Sequence, residues 1–282
     1  MNPKVKIFIL NWNGGKLLLE CISSVAKINY ENLDIIVIDN ASTDNSIRNI
    51  HKNFPDVDII SLDKNYGYSK AYNKAFNFTD YQNNEFFMLL NNDTIVDQDI
   101  VNYFFEAYKS LDSEKYIFGP KIYYMDKKKI IWYAGGKINF IKGIIKHIGI
   151  RKKDNQKYNN ISKTDYITGC CMFTHSNNMK ELNGFDERFN MYCEDVDLSL
   201  RALSLNIKCI YVPKAILWHK VSHSFKSEFS KKKFLLKFSS LLKLYNKHLP
   251  WYIVFIAFDL FLIRSLINGI KLFFHRLNNR LN

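Results

Sequence analysis

Two clusters of acidic and amide side chains have the types and spacing that metal binding or proton transfer requires. The first lies in "FFMLLNNDTIVD", where an apolar run leads directly into Asn91, Asn92 and Asp93. Carboxylate and amide oxygens are hard ligands for Mg²⁺ and related cations, and such ions often take substrate phosphates as further ligands. An Asn-rich turn at the end of a strand would explain the same residues without any ligand. The fragment alone leaves both interpretations open.

The second cluster is "YCEDVDLSLRA", in which Glu194, Asp195 and Asp197 crowd the start of a predicted helix. The helix macrodipole favours acids in a first turn, so capping explains at least one of them. Three acids within four residues exceed what a cap needs. A carboxylate at the mouth of a helix can take a proton from a bound hydroxyl. We predict that Asp195 is a general base, with Glu194 as the alternative and Asp197 as a residue that caps or orients the helix.

The elements that position these clusters follow from hydrophobic periodicity. Short apolar runs alternate with amphipathic helical patterns, and Ser42 or Asp44 is a candidate N-cap for the second helix. The predicted strands cover 5–10, 33–39, 57–62 and 86–90, and the predicted helices cover 15–28, 42–50 and 67–78. This β-α-β-α-β-α-β order predicts an α/β fold with a mostly parallel sheet, whose ligand binds at the carboxyl ends of the strands.

Polar residues follow each predicted strand, so they should meet at one edge of the sheet. They are Asn11 to Asn13, Asp39 and Asn40, Asp63 to Asn65, and Asn91 to Asp93. Trp12 lies among them, and packing in the core is its alternative role. The first turn has neither G-x-G-x-x-G nor G-x-x-x-x-G-K-[ST], so a dinucleotide fold and a P-loop are both disfavoured.

Composition narrows the class of protein. The chain has 282 residues, 47% hydrophobic content and a net charge of +13, which suits a large folded domain. Its basic runs at 127–129, 151–153 and 231–233 lack the glycine and aromatic residues of an RNA-recognition motif, so no nucleic-acid partner is predicted. The five cysteines are odd in number and never spaced as C-x-x-C, which favours a reducing cytosol over a disulfide framework or a zinc site. The N-terminus lacks the pattern of a signal peptide.

Six fragments carry a resemblance to a known family: "NWNG", "VIDNASTDNS", "NYGYSKAYN", "LLNNDTIVD", "GFDERFNMYCEDVDLSLRA" and "WHKVSHS". Their order over residues 4–225 resembles family 2 glycosyltransferases, and most closely the rhamnosyltransferase-like branch. The resemblance implies a GT-A-type fold that binds a nucleotide-diphospho-sugar and transfers the sugar, with inversion, to an acceptor hydroxyl. It also implies a divalent metal, Mn²⁺ or Mg²⁺, on the donor diphosphate.

The resemblance assigns further roles by position. Asp93 matches the second acid of an Asp-x-Asp metal motif, with Asn91 in place of the first acid. His219 matches a downstream histidine that completes the metal shell, and His223 is the nearby alternative. The resemblance and the strand-end chemistry together imply donor-binding roles for Asn11, Asp39, Asn65, Gly67, Lys70, Asn91, Asn92, Thr168 and Gly169. Cys170 and Cys171 are excluded as nucleophiles, because inverting transfer needs no covalent intermediate.

The C-terminal composition differs from the rest of the chain. We predict a catalytic domain over 1–230 and a basic, apolar helical tail over 231–282. The stretch 251–263 is shorter than the ~20 apolar residues that a spanning helix needs. From Ile263 onward, basic and apolar residues occupy opposite faces of one helix, which favours the interface of an anionic membrane. A helix folded back on the catalytic domain is the alternative.

The sequence therefore predicts a metal-dependent inverting glycosyltransferase, peripheral on the cytoplasmic face of the cell membrane. Its donor would be dTDP-rhamnose or a UDP-sugar, and its acceptor a glycan or lipid-linked glycan in cell-surface polysaccharide synthesis. A non-catalytic sugar-binding subunit and a sugar nucleotidyltransferase are the alternatives. The latter should have a Gly-rich first loop with basic residues, which "NWNGGK" matches poorly. Donor, acceptor, linkage and oligomeric state stay open at this point.

Overall fold

A computed structural model describes residues 2–79, 85–111, 115–221, 231–251 and 253–254, with only the backbone described for 231–233. The strands are β1 (Lys4–Asn11), β2 (Leu33–Asp39), β3 (Asp58–Ser61), β4 (Glu85–Asn91), β5 (Thr94–Val96), β6 (Tyr116–Tyr124), β7 (Lys127–Tyr133), β8 (Gly136–Asn139), β9 (Ile144–His147), β10 (Lys152–Lys153), β11 (Ser162–Lys163), β12 (Cys171–His175) and β13 (Lys208–His219). The helices are α1 (Gly15–Val25), α2 (Ser46–Asn53), α3 (Gly67–Phe78), α4 (Ile100–Lys109), α5 (Ser176–Glu181), α6 (Glu194–Ser204) and α7 (Lys231–His248), with a short 3-10 turn at Gln156–Tyr158.

The described strands form one eleven-stranded sheet and a two-stranded hairpin of β8 and β9. Strands β3, β2, β1 and β4 lie side by side in parallel, as predicted. Next to β4 comes β12, which runs antiparallel to both β4 and β6. Strand β13 pairs in parallel with β6 and antiparallel with β5. The prediction of an α/β fold with a mostly parallel central sheet is confirmed, and β12 is the antiparallel strand at its centre.

Both faces of the sheet are buried, and β4 shows why. Phe86, Met88 and Leu90 belong to one apolar cluster, whereas Phe87 and Leu89 belong to the other. Successive side chains of a strand point to opposite faces, so a continuous apolar run is what a strand covered on both sides requires. Helices α1 and α4 contribute to the first cluster, and α3 and α6 contribute to the second. The central strands therefore lie in the middle of three layers, with only their ends open to solvent.

Two of the basic runs meet at one edge of the sheet. The register of β10 on β7 places Lys152 beside Ile131 and Lys153 beside Ile130. The run 127–129 begins β7, and all its side chains are exposed. The sheet path ends at β10 on this side and at β3 on the other. Part of the positive charge is thus concentrated along one sheet edge.

Helix α7, from the predicted tail, packs on the rest of the chain. Leu244 and Tyr245 are 0% and 1% exposed. The ring of Phe140, between β8 and β9, meets the ring of Tyr245 edge-on at a centroid distance of 5.6 Å. The amphipathic segment from Ile263 onward lies outside the described residues. Among the residues that are described, no helix is both long enough and apolar enough to cross a bilayer.

A fully buried carboxylate joins α7 to α6. Asp197 is 0% exposed, and it accepts hydrogen bonds from Arg201 Nε at 2.8 Å and from His248 Nε2 at 2.7 Å. Lys247 Nζ lies 2.6 Å from the same carboxylate. Burial alone would raise the pKa of Asp197, but the hydrogen bonds from His248, Lys247 and Arg201 together lower it. The predicted role of Asp197 in orienting its helix thus extends to the docking of α7.

This carboxylate should make stability depend on pH at the acid end. Its folded pKa lies below the ordinary value of 3.8, so its contribution is complete above that value and disappears as the pH falls through the folded pKa. We expect Asp197→Asn to lower the free energy of unfolding at pH 7 by about 3 kcal/mol or more, because three donors lose a buried charge. Urea unfolding at pH 7 and pH 3 should show the difference from wild type shrinking at the lower pH.

Glu106→Gln is the matched control, because the Glu106–Lys214 ion pair is exposed on both sides. Its effect should stay within about 0.5 kcal/mol at either pH. If the free energies of unfolding of Asp197→Asn and wild type differ by the same amount at pH 7 and pH 3, the lowered pKa of Asp197 is contradicted.

Candidate active site

Asp93 and His219 come together because of strand pairing. Asp93 immediately precedes β5, and His219 ends β13. The antiparallel register places His219 opposite Thr94, so Asp93 is the next residue along. His219 Nε2 lies 3.1 Å from Asp93 Oδ1, and the two side chains are 10% and 11% exposed. Two residues that are 126 positions apart in sequence thus lie side by side, with little exposure to solvent.

The geometry of this pair suits a divalent cation. Although the atoms lie close, they do not have hydrogen-bond geometry, and Asp93 Oδ1 and His219 Nδ1 are both buried without a hydrogen-bond partner. Two neighbouring ligands at about 2.1 Å from an octahedral ion lie about 3 Å apart. Within the described ranges, no cluster of three or more His, Cys, Asp or Glu side chains is arranged to hold a metal. The pair fits Mg²⁺ or Mn²⁺ only if substrate oxygens and water supply the other ligands. His223 lies outside the described residues.

Asn11 and Asn92 connect the ends of the two central strands. Asn11 is fully buried, and its Nδ2 donates to Ser42 Oγ at 3.0 Å and to Ser46 Oγ at 3.1 Å. Its Oδ1 accepts a hydrogen bond of 2.8 Å from Asn92 Nδ2. Asn91 uses its carbonyl to accept from Thr94 Oγ1 at 2.7 Å. These hydrogen bonds connect the carboxyl ends of β1 and β4.

Asp39 lies at the carboxyl end of β2, and its neighbour Asn40 organises the following loop. Asp39 is 7% exposed, and its Oδ1 accepts from Ser42 N at 3.2 Å. Asn40 Nδ2 donates to Asn65 Oδ1 at 3.1 Å and to Gly67 O at 3.0 Å. Asn40 was not predicted as a site residue, and the turn that it stabilises is what brings Asn65 beside the crevice. Trp12 is 56% exposed, so its core alternative is wrong.

Gly67 lets its loop approach the segment before α6. Its φ is +75°, and a Cβ at this position would lie 2.8 Å from the carbonyl oxygen of Asn190. Tyr68 N donates to the same oxygen at 2.8 Å. Lys70, predicted near the donor diphosphate, pairs with Glu187 at 3.4 Å and lies over the ring of Tyr66. This part of the predicted donor site therefore also contacts residues 187–190.

Asp195 is held by backbone groups. Helix α6 begins at Glu194, so Asp195 is the second residue of its first turn. Asp195 Oδ2 accepts from Gly169 N at 3.0 Å, and Oδ1 accepts from Val196 N at 2.8 Å. Tyr68, which was not predicted, donates through its hydroxyl to Gly169 O at 2.7 Å. The predicted residues Gly169 and Asp195 are thus direct neighbours.

The two adjacent carboxyls differ in their surroundings. Burial, followed by the charge of Asp195, raises the pKa of Glu194 well above its ordinary value, and Glu194 Oε2 is buried without a partner. Burial also raises the pKa of Asp195, but the backbone N–H groups of Gly169 and Val196 oppose that effect. Two backbone donors favour the ionised form of Asp195, whereas the buried, unpartnered oxygen of Glu194 favours its protonated form. This difference between the two carboxyl groups suits Asp195, rather than Glu194, to accept a proton.

Cys170 lies near both clusters. Burial is the main cause that raises the pKa of its thiol far above the ordinary value, and the charges of Asp93 and Asp195 add to it. A thiol in this state is a poor nucleophile. Thr168 is 4% exposed, and its Oγ1 accepts from Cys170 N at 3.3 Å, so it shapes the turn rather than lining an open surface.

Aromatic rings surround the His219 side of the site. The ring of Trp132 meets those of His219 and His147 edge-on, at centroid distances of 4.5 and 4.4 Å. Burial lowers the pKa of His147 to about 4, so this imidazole is neutral at physiological pH. The contact between Trp132 and His219 depends on long-range packing, and the sequence contained no local signal for it.

Comparison with known proteins gives the family. The sequence model of glycosyl transferase family 2 matches residues 6–180, which is more than half of the chain. The chain belongs to that family. Rhamnosyltransferase WbbL of Escherichia coli (strain K12) is 28% identical over 211 residues, covering 71% of this chain and 78% of WbbL. This relative supports the predicted rhamnosyltransferase-like branch of the family.

Two further family 2 comparisons bear on length and fold. The poly-beta-1,6-N-acetyl-D-glucosamine synthase of Staphylococcus epidermidis is 25% identical over 217 residues, covering 76% of this chain but only 49% of the synthase. This chain therefore spans about half the length of that relative. The crystal structure of S. aureus TarS 1-349 in complex with UDP superposes with a TM-score of 0.57 at 17% identity, over 95% of this chain and 75% of TarS 1-349. The latter likeness confirms the GT-A fold.

The family 2 match ends before several candidate residues. It includes Asp39, Asp93 and Gly169, but it stops at residue 180. Glu194, Asp195 and the whole of α7 follow that point. The family identifies this chain as a glycosyltransferase.

Proposed function

We propose that this chain is a metal-dependent, inverting glycosyltransferase that moves a rhamnosyl or hexosyl group from dTDP-rhamnose or a UDP-sugar. The acceptor is a hydroxyl of a glycan or lipid-linked glycan in cell-surface polysaccharide synthesis. The observation that carries the proposal is the Asp195 carboxylate, which accepts hydrogen bonds from Gly169 N at 3.0 Å and from Val196 N at 2.8 Å. The names of the relatives support the donor classes.

The donor would bind across the ends of β1, β2 and β4. Asp39, almost buried at the end of β2, would accept hydrogen bonds from the base or the ribose. Asp93 and His219 would hold the divalent cation. When bound, the cation would neutralise charge on the departing nucleotide diphosphate. Residues 65–67 would close the nucleotide side of the site.

The acceptor hydroxyl would lose its proton to Asp195. Inverting transfer breaks the bond between the sugar and the diphosphate while the acceptor oxygen attacks from the opposite face, so no covalent intermediate with the protein is needed. The deactivated Cys170 thiol agrees with this route. Glu194, as the protonated neighbour, would leave the charge on Asp195. A lipid-linked acceptor would place the protein on the cytoplasmic face of the membrane.

A transfer assay tests the proposal. The purified chain is incubated with Mn²⁺ or Mg²⁺, a panel of dTDP- and UDP-sugars, and prenyl-diphosphate-linked sugar acceptors. We expect acceptor-dependent release of one nucleoside diphosphate, together with a glycosylated product of inverted anomeric configuration. Nucleotide-sugar binding without transfer to any acceptor would instead favour the non-catalytic binding subunit.

A further inference from the structure

Helix α7 contacts the segment 186–193 along its length. This segment leads directly into Glu194 and Asp195. The contacts include Lys247 Nζ to Asp186 Oδ2 at 2.7 Å, Lys243 Nζ to Arg188 O at 2.9 Å, Ser240 Oγ to Met191 O at 2.8 Å, and the Lys237 ammonium 5.1 Å from the ring centre of Tyr192. Both α7 and this segment lie beyond the residues that the family 2 match covers. The family match therefore assigns α7 no role.

The segment ends in an unfavourable backbone conformation. Tyr192 and Cys193 have φ values of +70° and +66°, and neither is a glycine. Each such residue costs on the order of 1–3 kcal/mol and persists only where its surroundings hold it. Glu194 follows immediately as the first residue of α6. The direction in which α6 starts, and with it the position of Asp195, therefore depends on what holds this turn.

The second attachment of α7 lies on α6 itself. Lys247 Nζ and His248 Nε2 lie 2.6 and 2.7 Å from Asp197 Oδ1, and Asp197 is two residues beyond Asp195. Lys247 also pairs with Asp186, so one ammonium connects the beginning of the segment with the first turn of α6. The strained turn lies between these two attachments. Helix α7 thus holds the chain on both sides of Glu194 and Asp195.

We propose that α7 is a positioning element for the candidate base, and that Lys247 and His248 are its positioning residues. The inference rests on the proposed function, because it assigns Asp195 the role of base. Neither residue touches the reacting groups. They act by fixing where α6 begins, so that the Asp195 carboxylate stays against Gly169 N. The catalytic unit then extends to residue 248 rather than ending at 230.

The test compares Lys247→Met with Lys247→Arg in the full chain. Lys247→Met removes the charge that bridges Asp186 and Asp197, and we expect kcat to fall on the order of 10²-fold while the donor KM stays near wild type. Lys247→Arg restores a donor to both carboxylates and should recover most of kcat. Lys214→Met is the matched control, since it removes the exposed pair with Glu106 and should change neither parameter. All assays are run well below each variant's melting temperature.

If α7 only stabilised the fold and did not position Asp195, the result would be different. In that case Lys247→Met lowers the melting temperature while kcat at low temperature stays at the wild-type value, and the inference is overturned. If Lys247→Met fails to fold, Ser240→Ala tests the positioning role of α7 instead, because it removes only the hydrogen bond to Met191 O. A lower kcat with unchanged donor KM supports positioning, and an unchanged kcat refutes it. Absence of transfer by the wild type would instead refute the proposed function itself.

Discussion

Asp195→Asn should lower kcat for sugar transfer by about 10²–10⁴-fold, the usual contribution of a general base. The substitution keeps the size and shape of the side chain, and its amide oxygen can still accept from Gly169 N. It removes the basic oxygen that takes the acceptor proton, and the amide NH2 in its place loses the hydrogen bond from Val196 N. Donor binding should therefore be unchanged, which thermal stabilisation by the nucleotide sugar can verify in the same preparation.

Glu194→Gln is the comparison that makes this result specific. Burial and the charge of Asp195 raise the pKa of Glu194 well above its ordinary value, so a glutamine imitates its protonated form. We expect a far smaller loss of kcat than for Asp195→Asn. The opposite order of effects would reassign the base to Glu194.

The pH profile gives an independent reading of the same carboxylate. Because burial raises the pKa of Asp195 above 3.8, activity should decline on the acid side with a midpoint above that value. The ionised form is the base, so activity is lost as the pH falls and retained as it rises. The wild-type profile of kcat/KM against pH measures this midpoint. Glu194→Gln should keep the acid limb, since that substitution leaves Asp195 in place.

Asp93→Ala should abolish the metal-dependent part of donor binding. With a nucleotide sugar and Mn²⁺ at about 100 times their apparent Kd, the wild type should gain on the order of 5–10 °C in melting temperature. In Asp93→Ala only His219 remains of the pair, so the shift with Mn²⁺ should equal the shift without it. Transfer activity should fall together with metal-dependent donor binding, because no cation would then neutralise the charge on the departing diphosphate.

The buried position of Asp93 makes a stability control necessary. Asp93→Asn keeps the volume but lacks the charge, and it should lose the metal response as Asp93→Ala does. Glu106→Gln, at an exposed ion pair, should retain the full response. A metal-dependent shift that survives in both Asp93 variants would exclude this pair as the cation site.

The parts of the fold that rely on local patterns were predictable from sequence. Helix α3 coincides with the predicted 67–78, and β2 with the predicted 33–39, because hydrophobic periodicity and the flanking Gly67 act over a few residues. The second helix begins at Ser46, later than the candidate caps Ser42 and Asp44. Ser42 Oγ accepts from Asn11 Nδ2, whereas Asp44 Oδ1 accepts from the backbone N–H of Ser46. Short-range polar signals thus located the turn but not the first helical residue.

The candidate site was predictable where strand ends converge, and unpredictable where distant segments dock. Asp93 and His219 meet because two strands pair in one register. The sequence pattern placed Asp93 after a predicted strand, whereas only the family resemblance indicated His219. The interaction of Asp197 with Lys247 and His248 joins residues about 50 positions apart, which no local pattern in the sequence connects. The left-handed backbone at Tyr192 and Cys193 could not be predicted from the sequence either, since neither residue type favours that conformation. Tertiary contacts decide these features.

The basic edge formed by β7 and β10 affects how copies of this protein meet one another. A sheet edge offers unpaired backbone groups on which another chain can add a strand. Here the edge strand is only two residues long, and both residues are lysines beside a further run of exposed lysines in β7. Two copies approaching edge to edge would bring like charges together before any backbone hydrogen bond could form. The protection is electrostatic, so it weakens as salt shortens the screening length, and edge-to-edge aggregation should rise with ionic strength.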